Sequence, residues 1–253
     1  VGKNKLAKFA EMAHFENVYQ PSFTEIRNQP FALKGNWANS FFQNEAPVVV
    51  ELGCGKGEYT VQLAAKFPDR NYIGIDIKGA RIYSGAKEAI DKGVKNAAFV
   101  RTRSENTAYL FTRGEIDEIW LTFPDPQPKK VSKRLTSTNF LNIYLKFLKR
   151  GGKIHLKTDS MFLYSYTLAV VNLNGFEITC QTDDLYASEI QGLELEKEII
   201  TCYEKQWLER GIPIKYLAFI PQHDRDLAEP VGHFKTDGYR SFGRSARSNL
   251  KDG

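Results

Sequence analysis

"VVVELGCGKGEY", Val48 to Tyr59, decides how the whole chain folds. Three β-branched residues read as a buried strand that glycine ends. Beyond it, "EYTVQLAAKF" spaces Tyr59, Val61, Leu63, Ala64 and Phe67 as a helix does. The loop between them carries Gly53, Gly55 and Gly57, which let the backbone turn sharply and approach a ligand without a Cβ in the way. The spacing is G-x-G-x-G, whereas a dinucleotide fingerprint runs G-x-G-x-x-G. Glu51, just ahead of the loop, would repel a pyrophosphate. It suits a cationic ligand, such as an amino-acid ammonium or a sulfonium. Asp76 ends the next strand, "NYIGIDI", where an acid accepts hydrogen bonds from both ribose hydroxyls of an adenosine. Together these residues favour S-adenosylmethionine over NAD; the competing reading makes Glu51 a structural acid and Asp76 a helix N-cap.

Working outward, the alternation continues. "GARIYSGAKEAIDKG" reads as a helix closing on Gly93, "AAFVR" as a strand and "IDEIWLTF" as a fourth strand. "TNFLNIYLKFLKRGG" follows as a helix with a glycine stop, then "KIHLKTD" as a fifth strand, "MFLYSYTLAVVNLNG" as a helix and "FEITC" as a strand. Residues 182–200 are irregular and acidic, "CYEKQWLERG" is helical and "IKYLAFI" a final strand. Strands alternating with helices predict an α/β domain, a mostly parallel sheet with helices on both faces. The expected organisation is a basic, aromatic N-terminal extension over 1–45, the α/β domain over 46–221, and a polar tail over 222–253, loosely attached or disordered.

The 253 residues are 42% hydrophobic and 26% charged, which suits one substantial core. No apolar run approaches the length of a membrane span. "VGKNKLAKFAEM" has lysines without an apolar run behind them, unlike a signal peptide. Cys54, Cys180 and Cys202 are odd in number and lack CxxC spacing, and His14, His155, His223 and His233 are scattered. These features point to a cytoplasmic protein without a metal site. Trp37, Trp120 and Trp207 read as core or interface residues. Net charge is +5, and from Lys129 to Lys157 nine Lys/Arg occur without one Asp/Glu. Such a run is a solvated face or an electrostatic footprint for phosphates.

The fourth strand ends in "TFPDPQPKK", Thr122 to Lys130. Pro124, Pro126 and Pro128 each fix φ and remove a backbone donor, so neither helix nor sheet continues. In an open parallel sheet, ligands sit beyond the carboxyl ends of the strands. The prolines would hold Asp125 rigidly at that rim, where a small displacement is costly; otherwise the loop merely ends a strand.

"FPDPQPKK", "VVELGCGKGEY", "GIDIKGAR", "LKTDSMFLY" and "TCYEKQWLERG" occur here in the order found in the bacterial tRNA (guanine-N7-)-methyltransferases, which this chain resembles over residues 1–221. The resemblance implies a Rossmann-like class I methyltransferase fold, seven strands with an antiparallel final one. It also implies S-adenosylmethionine as cofactor and tRNA as substrate, methylated at guanine 46 of the variable loop. Glu51 and Asp76 match the family's cofactor acids, beside Gly53, Gly55 and Gly57. Asp125 matches the residue that is both catalytic and cofactor-contacting, and Lys129, Asp159, Thr201 and Glu204 match substrate-binding positions. Two departures stand out. Gln127 and "KKVSKR" replace the family's Trp and Arg-His pair, and "RTRSEN" replaces the usual acid after the third strand, leaving Arg103, Ser104 and Glu105 as alternatives at the adenine.

Guanine N7 has an in-plane lone pair and no proton, so attack on a sulfonium methyl needs no prior general base, and the product ring becomes cationic. Asp125 would orient the base and stabilise that charge. Lys129 and Lys130 would hold flanking phosphates. Asp159 would accept from the guanine N1–H and N2 edge, or else cap the helix beginning near Ser160. Thr201 and Glu204 would frame the base, or else form a capping box. The rival readings are a methyltransferase-like RNA-binding partner without activity, an enzyme acting on another RNA, and a dehydrogenase of similar fold. The partners expected are tRNA and, at most, a second copy of the chain.

Overall fold

The protein is described here from a computed structural model covering residues 2–222, 224 and 226–240. Its sheet is built from β1 (Val18–Tyr19), β2 (Val48–Leu52), β3 (Asn71–Asp76), β4 (Ala97–Arg101), β5 (Ile116–Thr122), β6 (Leu148–Thr158), β7 (Glu177–Thr182) and β8 (Lys215–Ile220). The spatial order is β1-β4-β3-β2-β5-β6-β8-β7. β1 to β6 pair in parallel, and β8 lies antiparallel to both β6 and β7. This is the expected α/β class with its antiparallel last strand. Among the described residues there are eight strands rather than seven, because the two-residue β1 extends the β4 edge.

The helices are α1 (Gly2–Met12), α2 (Phe23–Asn28), α3 (Glu58–Lys66), α4 (Gly79–Asp91), α5 (Thr107–Leu110), α6 (Thr138–Tyr144), α7 (Met161–Leu173), α8 (Glu194–Glu198) and α9 (Cys202–Leu208). They cover both faces of the sheet, which is why β2 needs no apolar–polar alternation: all five of its residues are buried. Successive side chains of a strand point to opposite faces. Val48, Val50 and Leu52 accordingly join one core cluster with Ile73, Ile119 and Tyr144, while Val49 joins the other with Tyr59, Phe99 and Trp120.

Three expectations change. Residues 19–42 of the basic, aromatic extension pack into the core of the domain. Trp37 is fully buried, its Nε1–H donates to the Leu110 carbonyl at 3.2 Å, and it packs with Tyr19, Phe31, Phe41, Phe42 and Phe111. An aromatic cluster can be buried without any periodic pattern, because area is what counts. The helix expected to run to Gly152 stops at Tyr144, and "LKRGG" opens β6. A Cβ on Gly152 would stand 2.9 Å from the Asp117 carbonyl and 2.7 Å from that of Lys149, so glycine is there for a tight bulge beside β5.

The third change concerns the tail. Residues 226–240 lie against the domain, with Leu227 and Phe234 packed on the core. Glu229 accepts from Thr138 N at 3.2 Å, Thr138 Oγ1 at 2.8 Å and Tyr166 OH at 2.5 Å. Asn174 brackets Ala228, donating to its carbonyl at 2.9 Å and accepting from its N–H at 2.7 Å. A polar sequence can dock when its few acids meet helix N-termini and its few apolar residues meet a groove. His223, Arg225 and residues 241–253 of the expected tail lie outside the described residues.

Candidate active site at the carboxyl edge of the sheet

Six parallel strands, β1 to β6, deliver their carboxyl ends to one edge, and the chain order reverses beside β2, with β3 and β4 on one side and β5 and β6 on the other. That reversal point is where open α/β sheets bind ligands. The glycine loop leaves β2 there. Gly53 N and Cys54 N donate to the Ile75 carbonyl at 2.7 and 3.1 Å, and Gly55 N donates to Asp76 Oδ2 at 3.0 Å. Asp76 holds Lys78 N with its other oxygen at 2.7 Å, so both carboxylate oxygens are fixed and each keeps a spare lone pair.

The three loop glycines divide by function. All have positive φ, but a Cβ on Gly57 would stand 2.6 Å from Phe99 Cε1 and 3.2 Å from Gly85 Cα. Gly57 therefore serves helix packing, where α3 and α4 touch. A Cβ on Gly53 would meet nothing nearer than Leu135 at 3.8 Å, and one on Gly55 only the Gly53 carbonyl at 4.0 Å. The backbone at Gly53 and Gly55 is open for a ligand to approach.

Glu51 sits beneath the loop, 4% exposed. Its Oε2 accepts from Thr60 N at 3.0 Å and Thr60 Oγ1 at 2.5 Å, and its Oε1 accepts from Thr122 Oγ1. It therefore ties β2, α3 and the end of β5 together. Burial pushes its pKa up to about 7, opposed by these hydrogen bonds.

Thr122 leads into the proline loop. Phe123 and Gln127 both adopt positive φ, 51° and 48°, a conformation that costs a non-glycine residue of order 1 kcal/mol or more. Arg134 holds the loop in that shape. It is 4% exposed, donates to the Gln127 carbonyl at 3.2 Å and the Pro128 carbonyl at 2.9 Å, and lies over the rings of Phe162 and Tyr166. Asp125 is exposed at the rim, with one oxygen 3.2 Å from Gln127 N. Lys129 and Lys130 are exposed beside it.

The basic run is not one face. Lys129 and Lys130 flank the proline loop, Lys133 pairs with Glu105 at 2.7 Å, and Lys149 pairs with Asp117 at the opposite end of β5. Arg134 and Lys157 point inward. Of the three residues after β4, Glu105 faces Lys133, and Ser104 begins a short 3-10 turn.

β6 ends at Thr158, and Asp159, the next residue, is fully buried. It is not the α7 N-cap: Ser160 takes that place and accepts from Leu163 N at 3.1 Å. Thr201 caps α9 and accepts from Glu204 N at 3.2 Å. Glu204 does not close a capping box. Its Oε1 meets Lys157 Nζ at 2.8 Å and accepts from Tyr186 OH at 2.8 Å, and both members of the ion pair are fully buried. Lys157 also donates to the Glu196 and Ile199 carbonyls at 2.6 and 3.0 Å. Burial raises the Glu204 pKa against the pull of Lys157, and lowers that of Lys157. Glu204 Oε2 has no hydrogen-bond partner.

α9 is brought to the loops by two contacts. Cys202 N donates to Glu58 Oε2 at 2.7 Å, directly after the glycine loop, and Tyr203 packs edge-on to Phe123 at 5.6 Å. Sequence reading missed Arg134, hidden among exposed lysines, and Lys157. The latter carried a signal, since a strand covered on both faces cannot leave a central lysine in water.

Among the described residues, no His/Cys/Asp/Glu group could hold a metal ion, and no helix is long and apolar enough to cross a membrane.

Residues 45–217 match a family model described as "Putative methyltransferase". The chain is 49% identical to the tRNA (guanine-N(7)-)-methyltransferase of Bacteroides fragilis over 99% of both chains. It is 52% identical to that of Porphyromonas gingivalis over 94% of this chain and 98% of the other. Its fold is similar to the solved "Structure of an Antibiotic Related Methyltransferase", with TM-score 0.55 and 18% identity over 76% of this chain and 95% of that one.

Proposed function

This chain belongs to the tRNA (guanine-N(7)-)-methyltransferase family, and on that premise we propose that it methylates N7 of a guanine in tRNA, position 46 of the variable loop. S-adenosylmethionine supplies a methyl group on a sulfonium, activated for transfer. The observation that carries the reading is the coupling of the glycine loop to the proline loop: Glu51 bridges Thr60 and Thr122 across the β2–β5 switch point. Cofactor and base platforms are thereby held in one rigid frame.

The residues present suit the cofactor. Gly53 and Gly55 leave open backbone over which a nucleoside can lie, and the spare lone pairs of Asp76 would accept its ribose hydroxyls. Gly57 supports the loop by packing rather than by contact. Glu51 contributes negative charge from below.

Asp125 is the catalytic group. The loop presents its carboxylate at the rim, where it orients the guanine and stabilises the positive charge that develops as N7 is alkylated. No proton has to leave N7 first. Arg134 keeps the loop in its strained shape, so little reorganisation remains for the moment of reaction. Lys129 and Lys130 hold phosphates flanking the base. Asp159 accepts from the guanine N1–H and N2 edge, where adenine offers a lone pair at N1. Thr201 sets the start of α9, and Glu204, buried against Lys157 and Tyr186, fixes that helix beside the same edge.

The test is to incubate the full chain with methyl-labelled S-adenosylmethionine and unmodified tRNA, then digest and map the product. N7-methylguanosine in the variable loop is expected. Absence of transfer, or a label on another atom, overturns the reading.

A further inference from the structure

Residues 226–240 reach the residue given to the guanine edge. Tyr239 OH donates to the Asp159 carbonyl at 2.8 Å and to Asp159 Oδ2 at 2.9 Å, while its ring packs on Trp207 of α9 at 5.2 Å. Two residues earlier, Asp237 accepts from Ser160 Oγ and, at 3.2 Å, from Phe162 N. With these contacts in place, Asp159 and Ser160 are fully buried. A base cannot hydrogen-bond a carboxylate that solvent cannot touch.

The phenol is a good imitation of what a guanine would bring. It is one neutral O–H donor on an aromatic ring, placed on an acceptor-only carboxylate and tilted against the helix that Thr201 caps and Glu204 belongs to. The row Phe123–Tyr203–Trp207–Tyr239, with ring centroids 5.2 to 5.6 Å apart, runs from the proline loop to this point. Tyr239 thus continues an aromatic wall along the rim. Further contacts hold the segment at Ala228, Glu229 and Phe234. Residues 237–239 can leave Asp159 while those contacts stay.

Resting on the reading of Asp159 as the guanine acceptor, we infer that residues 237–239 form a displaceable plug. Tyr239 occupies the base's place on Asp159 in the free enzyme, and tRNA binding evicts it. The plug lowers apparent RNA affinity by the fraction of time that it is seated, without touching the cofactor. Because it competes with every base alike, it sets affinity and leaves the preference for guanine over adenine unchanged.

The experiment compares the full-length wild type with Tyr239→Phe, which keeps the ring and loses the donor, and Tyr239→Ala, which loses both. Both substitutions lie at the edge of the fold. Binding of unmodified tRNA is measured by filter retention, and of S-adenosylmethionine by calorimetry. A plug seated about nine-tenths of the time predicts apparent tRNA Kd values about three- to tenfold lower in the variants, with cofactor Kd unchanged. If both variants bind tRNA no more tightly while the wild type methylates it, the plug is overturned alone; weaker binding would make Tyr239 a substrate contact. A wild-type chain that methylates no tRNA overturns the family reading and the plug with it.

Discussion

The glycine loop at Gly53–Gly57 and the C-terminal segment 226–240 reach the same edge of the sheet, held there by different physics. The loop is fixed by its own backbone: its N–H groups meet Ile75 and Cys54 carbonyls and the Asp76 carboxylate, and its φ angles demand glycine. The segment has no regular backbone pairing for most of its length. It is pinned by side chains: Glu229 at the start of α6, Asn174 on Ala228, Asp237 at the start of α7 and Tyr239 on Asp159. A backbone-built platform keeps its geometry when a ligand arrives. A surface held by isolated contacts can yield one of them at modest cost, which is what a plug requires.

That contrast can be broken from either side. The largest effect is expected at the rim the loop supports. Asp125→Asn keeps shape and removes charge, and kcat at saturating cofactor should fall about 100-fold; a rate within a few-fold of wild type would remove the electrostatic role.

Substitutions within the loop should separate packing from binding. Gly57→Ala drives a Cβ into Phe99 and Gly85, so thermal unfolding should show a loss of about 2–4 kcal/mol. Gly53→Ala meets only Leu135 at 3.8 Å. It should cost about 1–2 kcal/mol of strain but weaken cofactor binding in calorimetry more than stability. Equal stability losses at both positions would contradict the division of the glycines.

A smaller effect follows from Glu51. Its folded pKa of about 7 lies above the ordinary carboxylate value of 4.5, so the native state holds a proton that the unfolded state has released between these values. Stability contributed by this group is present below pH 4.5 and lost as pH rises through 7. Wild-type melting temperature should therefore decline from pH 5 to pH 8 by an amount missing in Glu51→Gln. A sulfonium cofactor prefers the ionised form, so its affinity should strengthen over the same window, again only in the wild type.

The smallest effect belongs to the segment's anchor. Glu229→Gln weakens the acceptor for Thr138 and Tyr166 and should cost about 1 kcal/mol, with cofactor affinity intact. A loss of cofactor binding would show that the segment supports the glycine loop.

How far each region could be read in advance follows the same division. Periodicity and glycine placement made β2, α3, β3 and the loop between them legible, because strand, turn and helix rules act over a few residues. The proline loop was legible as a rigid rim for the same reason. Arg134 was not, since nothing near it in sequence separates a buried clamp from the exposed lysines around it. Asp159 and Glu204 were found as chemistry, yet their surroundings were not: Lys157 is 47 residues from Glu204 and Tyr239 is 80 residues from Asp159.

The sequence by itself determined the α/β alternation and the switch-point loops, because local backbone rules are properties of short stretches. Only the tertiary structure decided that Gly57 is packed against Phe99 and Gly85, that Glu51 braces two loops, and that the chain's own Tyr239 lies on Asp159. Those outcomes depend on which distant groups share a volume, and burial, not sequence distance, sets what a charged or polar group does there.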